Sequence, residues 1–546
     1  FKPQAILYEG PGVAGYVSTW HDACEEVREL TLAYDQVFAG LKNDRELVMF
    51  LGGKAKQYKL DNPKTSWADI QRNIEQRILQ DTLSNYAKIR SNYPRTEIAN
   101  AIIHMVLGTP GHRAAADKII DDLIEKGTAV DGVTGEKGLS GYGTIGPTSI
   151  ANLLAQFDII DPRWMETVLR KHPRLHECYR FHVDTWCLNH YYPTCGDAGS
   201  FGSRVDNYAG VTFLRLEDRL PTIFAGGPLA PSMYTFMYRM HKLTGDPAFA
   251  QIVYLANGRS VEGLPHDLFV KEPESIQKEI AAVVEREGAT PKLGSVNKQE
   301  WHLAILRSGR GDHARAVWLD YDSSGGHRHQ DGLNLGLYAY GLDLMPDFGY
   351  PPVQFGGWGS PRAVWYTSTA AHNTVVVDGK NQLVDNGRTI LWGDGQTFRA
   401  IKAAEPGAYK IPVYERTVAS IDIPDRDFYA VDVFRVRGGK DHAKFLGSHF
   451  STITTQGLDL QPGAEYGHGS QLRNMRIDAK ADPGWSVDFK VEDLHKYLSK
   501  PADIHLRHTD LTADAQAGVA EAWVVAGLYD SKEEQWVPRI MTRRTS

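Results

Sequence analysis

The sequence has no run of about 18 apolar residues, the length that a membrane-crossing helix needs. It also lacks an excess of positive charge. Sixty Lys and Arg stand against 67 Asp and Glu, for a formal net charge of −7. A nucleic-acid binder usually shows a basic bias, so that class is excluded, while a local cleft of Arg and Lys stays compatible with an anionic polymer. Cysteine is scarce. Four residues, Cys24, Cys178, Cys187 and Cys195, are too few for a disulfide scaffold. Cys187 and Cys195 flank a candidate active loop, where they either pair or remain free buried thiols. No P-loop, dinucleotide fingerprint or GxSxG elbow is present. The chain opens on Phe1 without Met and without a leader. A processed start is expected, and with it a secreted or periplasmic location.

What is present divides by period. A chain of 546 residues is too long for one core, so two or more domains are expected. The first half carries apolar residues at helical spacing, as in HDACEEVRELTLAYDQVFAGL, ADIQRNIEQRILQDTLSNYAKI, AADKIIDDLIEK and PSMYTFMYRMHKLTG. TGDPAF reads as a helix end, a Pro-initiated turn and a new helix. Such helix pairs suggest an α/α toroid or a solenoid, and periodicity alone does not separate them. From about Thr290 the pattern changes to short alternating runs punctuated by turn residues: ARAVWLDYD, HNTVVVDG, FYAVDVFRVRGG, EAWVVAGLYD. This is the pattern of an antiparallel β-sandwich. GATPKLGSVN reads as the linker. The expected division is therefore a helical domain over 1–292 and a β-sandwich over 293–546, the latter continuing beyond the chain end.

The densest chemistry lies in GGHRHQDGLNLGLYAYGLDLMPDFG and, after it, STAAHNTVVVDGKNQ. Both read as closely linked short strands, on which His327 and His329 share a face. His329, Asp347 and His372 form an N, O, N set that suits zinc. His327 is left for acid–base work. Asp331 reads as a carboxylate orienting a ligand imidazole.

This block resembles the signature of the heparinase II/III-like polysaccharide lyases, which include alginate, heparan and ulvan-type lyases. The resemblance implies an N-terminal α/α toroid, a C-terminal β-sandwich and a cleft between them. It implies that His329, Asp347 and His372 hold a structural zinc and that His327 is catalytic or substrate-binding. It extends to WCLNHYYPTCGDAGSFGSRVDNYAG, where Asn189 and His190 match a pair that binds the uronate carboxylate and handles a proton. Beside them Arg204, Tyr191 and Tyr208 are candidate substrate contacts. The family uses a tyrosine on the next helix, and Tyr234 and Tyr238 both qualify, Tyr234 being nearer the helix start. The implied reaction is β-elimination on a 4-linked uronate polysaccharide, leaving an unsaturated uronate end. The rivals are an α/α-barrel glycoside hydrolase and a non-catalytic polysaccharide-binding protein.

Overall fold

The computed structural model of the chain describes residues 23–211, 233–268, 270–423, 427–467, 469–527 and 531–545. Its fold is a helical N-terminal part, an incomplete α/α toroid, followed by an antiparallel β-sandwich. The helices are α1 (Ala23–Leu41), α2 (Arg45–Gln57), α3 (Trp67–Ile74), α4 (Asp81–Ser84), α5 (Arg95–Leu107), α6 (Pro110–Gly127), α7 (Ile145–Ile160), α8 (Trp164–Lys171), α9 (Arg174–Asp184), α10 (Met233–Thr244), α11 (Pro247–Ala256) and α12 (Pro273–Glu287). They pack as a chain of neighbours, α1 on α5, α5 on α6, α6 on α7, α7 on α10, α10 on α11 and α11 on α12, which makes an open arc. Local signals set their ends. Ser66 and Asp69 form a reciprocal capping box on α3. Asp246 caps α11 through the Ala248 N–H with Pro247 in the first turn, the break that TGDPAF announces. No helix among the described residues is long and apolar enough to cross a membrane.

The strands begin at Val296. A first sheet runs in chain order through β1 (Val296–Lys298), β2 (Leu303–Ser308), β3 (Arg315–Asp320), β4 (Asn334–Ala339) and β5 (Leu342–Asp343). After β6 (Val375–Val377), strands β7 (Arg388–Asp394), β8 (Phe398–Ala404), β9 (Val413–Asp422) and β10 (Phe428–Arg437) form a second sheet. Then come β11 (Asp441–Gly447), β12 (Ser451–Gln456), β13 (Gln461–Pro462), β14 (Leu472–Ala481), β15 (Trp485–Val491), β16 (His505–Asp510), β17 (Ala515–Ala526) and β18 (Glu533–Thr545). They complete a six-stranded sheet, β13-β14-β17-β18-β11-β6, and a three-stranded one, β12-β15-β16. The short helix α13 (Pro361–Thr367) precedes β6.

The first sheet explains how the two parts become one body. Side chains alternate across a strand. Leu303, Ile305, Trp318 and Tyr338 point into the helical core, whereas Ala304, Leu306, Val317 and Leu337 point into the core between the sheets. Every residue of β3 and β4 is accordingly buried. The connection between these two strands, residues 321–333, emerges where helices and sheets meet, and it carries His327, His329 and Asp331.

Candidate active site and metal centre

The 321–333 segment is a loop rather than the strand expected from its sequence. Two interactions divert it. The Ser323 hydroxyl is hydrogen-bonded to Leu383 O at 2.7 Å and to the Glu405 carboxyl at 2.5 Å. Gly325, at φ +92°, lies against the Gly135 carbonyl, where a Cβ would come within 2.9 Å. Lys137 N–H then donates to Gly326 O at 3.0 Å, and Asp197 N–H to His327 O at 2.9 Å. Gly196, at φ +75°, permits that second approach, since a Cβ there would sit 2.3 Å from His327 O. Residues 135–138 and 195–197 of the helical part thus grip the loop from outside.

His327 itself takes a left-handed backbone, φ +50°, so it does not share a face with His329. Its half-exposed imidazole meets Glu136 through Nδ1. It lies flat on the ring of Tyr142, with centroids 3.5 Å apart and planes 4° apart. A carboxylate only accepts, so Nδ1 donates in this contact. The Tyr142 hydroxyl shares a hydrogen bond with that of Tyr350 at 3.3 Å. Arg328, next in the chain, is exposed and donates to Gly325 O at 3.0 Å.

His329 turns the other way, into a buried pocket with Asp347 and His372. Their candidate ligand atoms all lie within 4.8 Å of one another. His329 Nδ1 and His372 Nε2 face each other at 3.2 Å, with Asp347 Oδ2 3.4 Å from the latter. The opposite ring nitrogens are committed. His329 Nε2 donates to Asp197 at 3.0 Å and His372 Nδ1 to Ser368 O at 2.8 Å. Both partners are acceptors, so each imidazole turns a bare lone pair inward. Burial pushes His372 down to about 4, which keeps it neutral near pH 7. Two lone pairs and a carboxylate converging in a dry pocket fit a divalent cation. Asn334 Nδ2 and Gly349 N–H fix Asp347 at 2.8 and 2.9 Å, and Arg539 holds His372 O at 2.5 Å. This outer layer orients the ligands.

Beneath the loop, Lys137 donates to Asp322 at 2.6 Å and to Asp320 and Trp301 O at 3.2 Å. Burial would depress this ammonium, but the two aspartates outweigh it and hold it charged. Burial raises Asp320, whereas Asp322 falls to about 2 because Lys137 and His302 together outweigh its burial. Lys137 and Asp322 therefore form the ion pair.

Several expected residues do not join this cluster. Tyr234 is 4% exposed and Tyr238 is also buried, both packed among α10 to α12. Their hydroxyls go to Ala256 O at 3.4 Å and Glu279 at 2.6 Å. Burial pushes Tyr234 up to about 12, and burial with the Glu279 contact raises Tyr238, which opposes a role as base. Tyr191 stacks on Tyr338 at 4.7 Å and bonds Gly341 O, and Tyr208 bonds Tyr179 O. Both are buried, so neither offers a face to a sugar. Arg204 spends its fork on Gly341 O, Tyr497 O and the Tyr191 hydroxyl, which makes it a strut. Asp197, not Asp331, orients His329. Asp331 Oδ2 has no hydrogen-bond partner among the described residues. Asn189 and His190 form a turn after α9, Asn189 at φ +57°, with His190 Nδ1 2.5 Å from Asp206. No hydrogen bond or ring contact among the described residues links that pair to His327. All four cysteines are free and buried.

Sequence reasoning missed Glu136, Tyr142, Asp197 and Tyr350. A signal was available for three of them. DGVTGEKGLSGYG and CGDAGSFG pack glycines at a density that marks close backbone approach.

Residues 291–465 match the family described as heparinase II/III-like, C-terminal, a span that includes His327 and all three candidate ligands. This part of the chain is similar to the C-terminal domain of the heparinase II/III-like family. Over 165 residues it is 29% identical to an exo-oligoalginate lyase of Saccharophagus degradans, covering 27% of this chain and 22% of that one. Over 229 residues it is 28% identical to an alginate lyase of Stenotrophomonas maltophilia, covering 37% and 31%. The matches thus span under a third of either relative. Two solved structures share the fold. The heparan sulfate lyase HepC of Pedobacter heparinus aligns over 96% of this chain and 72% of its own, at 13% identity and TM-score 0.52. A heparinase III, the BT4657 gene product, aligns over 96% and 65%, at 13% identity and TM-score 0.55.

Proposed function

We propose that the chain is a polysaccharide lyase that cleaves a 4-linked uronate polymer by β-elimination. The observation that carries this reading is the His327 imidazole, held by Glu136 at Nδ1 and stacked on Tyr142. Kinship to alginate lyases over part of the chain supports a uronate as the substrate class. In this mechanism His327 Nε2 takes the acidic proton at C5. The electron pair forms the C4–C5 double bond, and the 4-linked oxygen leaves with a proton from the Tyr142–Tyr350 hydroxyl pair. Glu136 steadies the imidazolium that forms. Arg328, beside His327, offers a planar fork to the uronate carboxylate. Zinc held by His329, Asp347 and His372 would supply a fixed anchor for the loop bearing His327. A polymer of this kind does not cross a membrane, which supports a secreted or periplasmic enzyme.

The test is a screen of alginate, heparosan and ulvan read by ultraviolet absorbance of the new double bond. Chain shortening without that absorbance would instead indicate a glycoside hydrolase. Binding without shortening would indicate a capture protein.

A further inference from the structure

A line of aromatic rings leads from His327 to the surface. Tyr142 covers the imidazole at 3.5 Å. Tyr350 follows at 6.2 Å with its plane 22° from that of Tyr142. Trp358 comes next, 5.6 Å from Tyr350. Trp358 is 54% exposed, on the glycine-rich loop 356–359 before α13. The exposed indole matters here because it ends a line of rings that starts at His327.

The loop is presented from a stiff frame. Ser360 caps α13 through the Ala363 N–H. Arg362 pairs with Glu534 at 2.7 Å and stacks on Phe355 and Trp523 at 4.8 and 4.6 Å. Gln354, on the other flank, donates to Ser531 O at 2.7 Å. Trp358 is therefore held out by a braced loop.

We propose that Trp358 is the stacking platform of a sugar subsite flanking His327. Its occupant is a pyranose ring of the uronate chain next to the one that reacts. A pyranose carries C–H groups on its faces and hydroxyls and carboxylate at its edge. It can lie on an aromatic plane while its charge stays in water. Tyr350 bridges the two positions. This subsite rests on the lyase reading above.

The experiment measures kcat and KM for Trp358→Ala and Trp358→Phe on alginate trisaccharides and hexasaccharides. Trp358→Ala should raise KM for the hexasaccharide about tenfold with kcat much less affected, the pattern of lost ground-state binding. Trp358→Phe keeps a ring and should recover most of the loss. An unchanged melting temperature in both shows that the fold is kept. If KM for the hexasaccharide does not move while the parent enzyme forms unsaturated product, the subsite is wrong and the lyase reading stands. A change in oligomeric state of Trp358→Ala at size exclusion makes the indole an interface contact and also overturns it. If the parent enzyme forms no unsaturated product from any uronate chain, the lyase reading falls and takes the subsite with it.

Discussion

His327 is held by a carboxylate on one side and an aromatic face on the other, so its effects can be separated by substitution. His327→Ala should lower formation of unsaturated product by about 100-fold or more, the scale of a lost general acid–base group. Glu136→Gln keeps the size of the side chain but removes the charge opposite Nδ1. It should lower kcat with KM little changed, because the charge acts on a developing imidazolium. Steady-state kinetics check both, and a His327→Ala enzyme of full rate would show that the base lies elsewhere. His329→Ala should release the metal and lower the melting temperature, measured by elemental analysis and thermal unfolding. Full stability without metal would remove the anchoring role. The set His329, Asp347 and His372 was legible in the sequence as an N, O, N group, and the fold brings the three side chains together. Its partners were not. Asp197 lies 132 positions from His329, and Glu136 lies 191 positions from His327. No local period reports contacts of that range. Tyr234 and Tyr238 show the converse. Helical spacing put them on one side of α10, but only the packing of α11 and α12 reveals that this side is core.

At the scale of elements, the strand pattern of β3 was readable, and so was the helix break at Pro247. The β3–β4 connection was not. Its alternation of His, Arg and His imitates a strand, yet Ser323 and the glycines before His327 bend it against the helical part. The bend is secured by the strap around Lys137, whose backbone holds Gly326 and whose ammonium is buried against Asp320 and Asp322. Lys137→Met would remove the buried cation shared by Asp320 and Asp322, leaving Asp322 only His302 at 3.2 Å and the Ser324 hydroxyl at 2.5 Å. Loss of one partner of a buried pair costs about 3–5 kcal/mol. Denaturant unfolding should show a loss of that order. The same variant should lower activity, because the strap and Glu136 are consecutive in the chain. A variant as stable as the parent would show that Lys137 carries no net interaction.

For the whole molecule, one shared core makes the helices and the first sheet interdependent, and buried histidines tie its stability to pH. His449 is fully buried, and neither ring nitrogen has a hydrogen-bond partner among the described residues. Burial lowers it to about 3, and lowers His182 to about 4. In the unfolded chain both return to about 6.5. Between about pH 6.5 and pH 4 the unfolded state therefore binds more protons, and stability falls as pH drops. The two together should cost about 4 kcal/mol at pH 5, at about 1.4 kcal/mol per pH unit each. Melting temperature should decline from pH 7 to pH 5, and His449→Phe should flatten that decline in part, leaving the share of His182 and of His372, which burial also lowers to about 4. An identical decline in the variant would assign it to other groups.

Incubation of alginate and heparosan with the parent enzyme and with His327→Ala, followed by ultraviolet absorbance and product size, tests the central claim most directly. Absorbance of a C4–C5 double bond that grows with chain shortening in the parent, and is lost in His327→Ala, is the predicted result. Shortening without that absorbance, or equal rates in the two proteins, would contradict it.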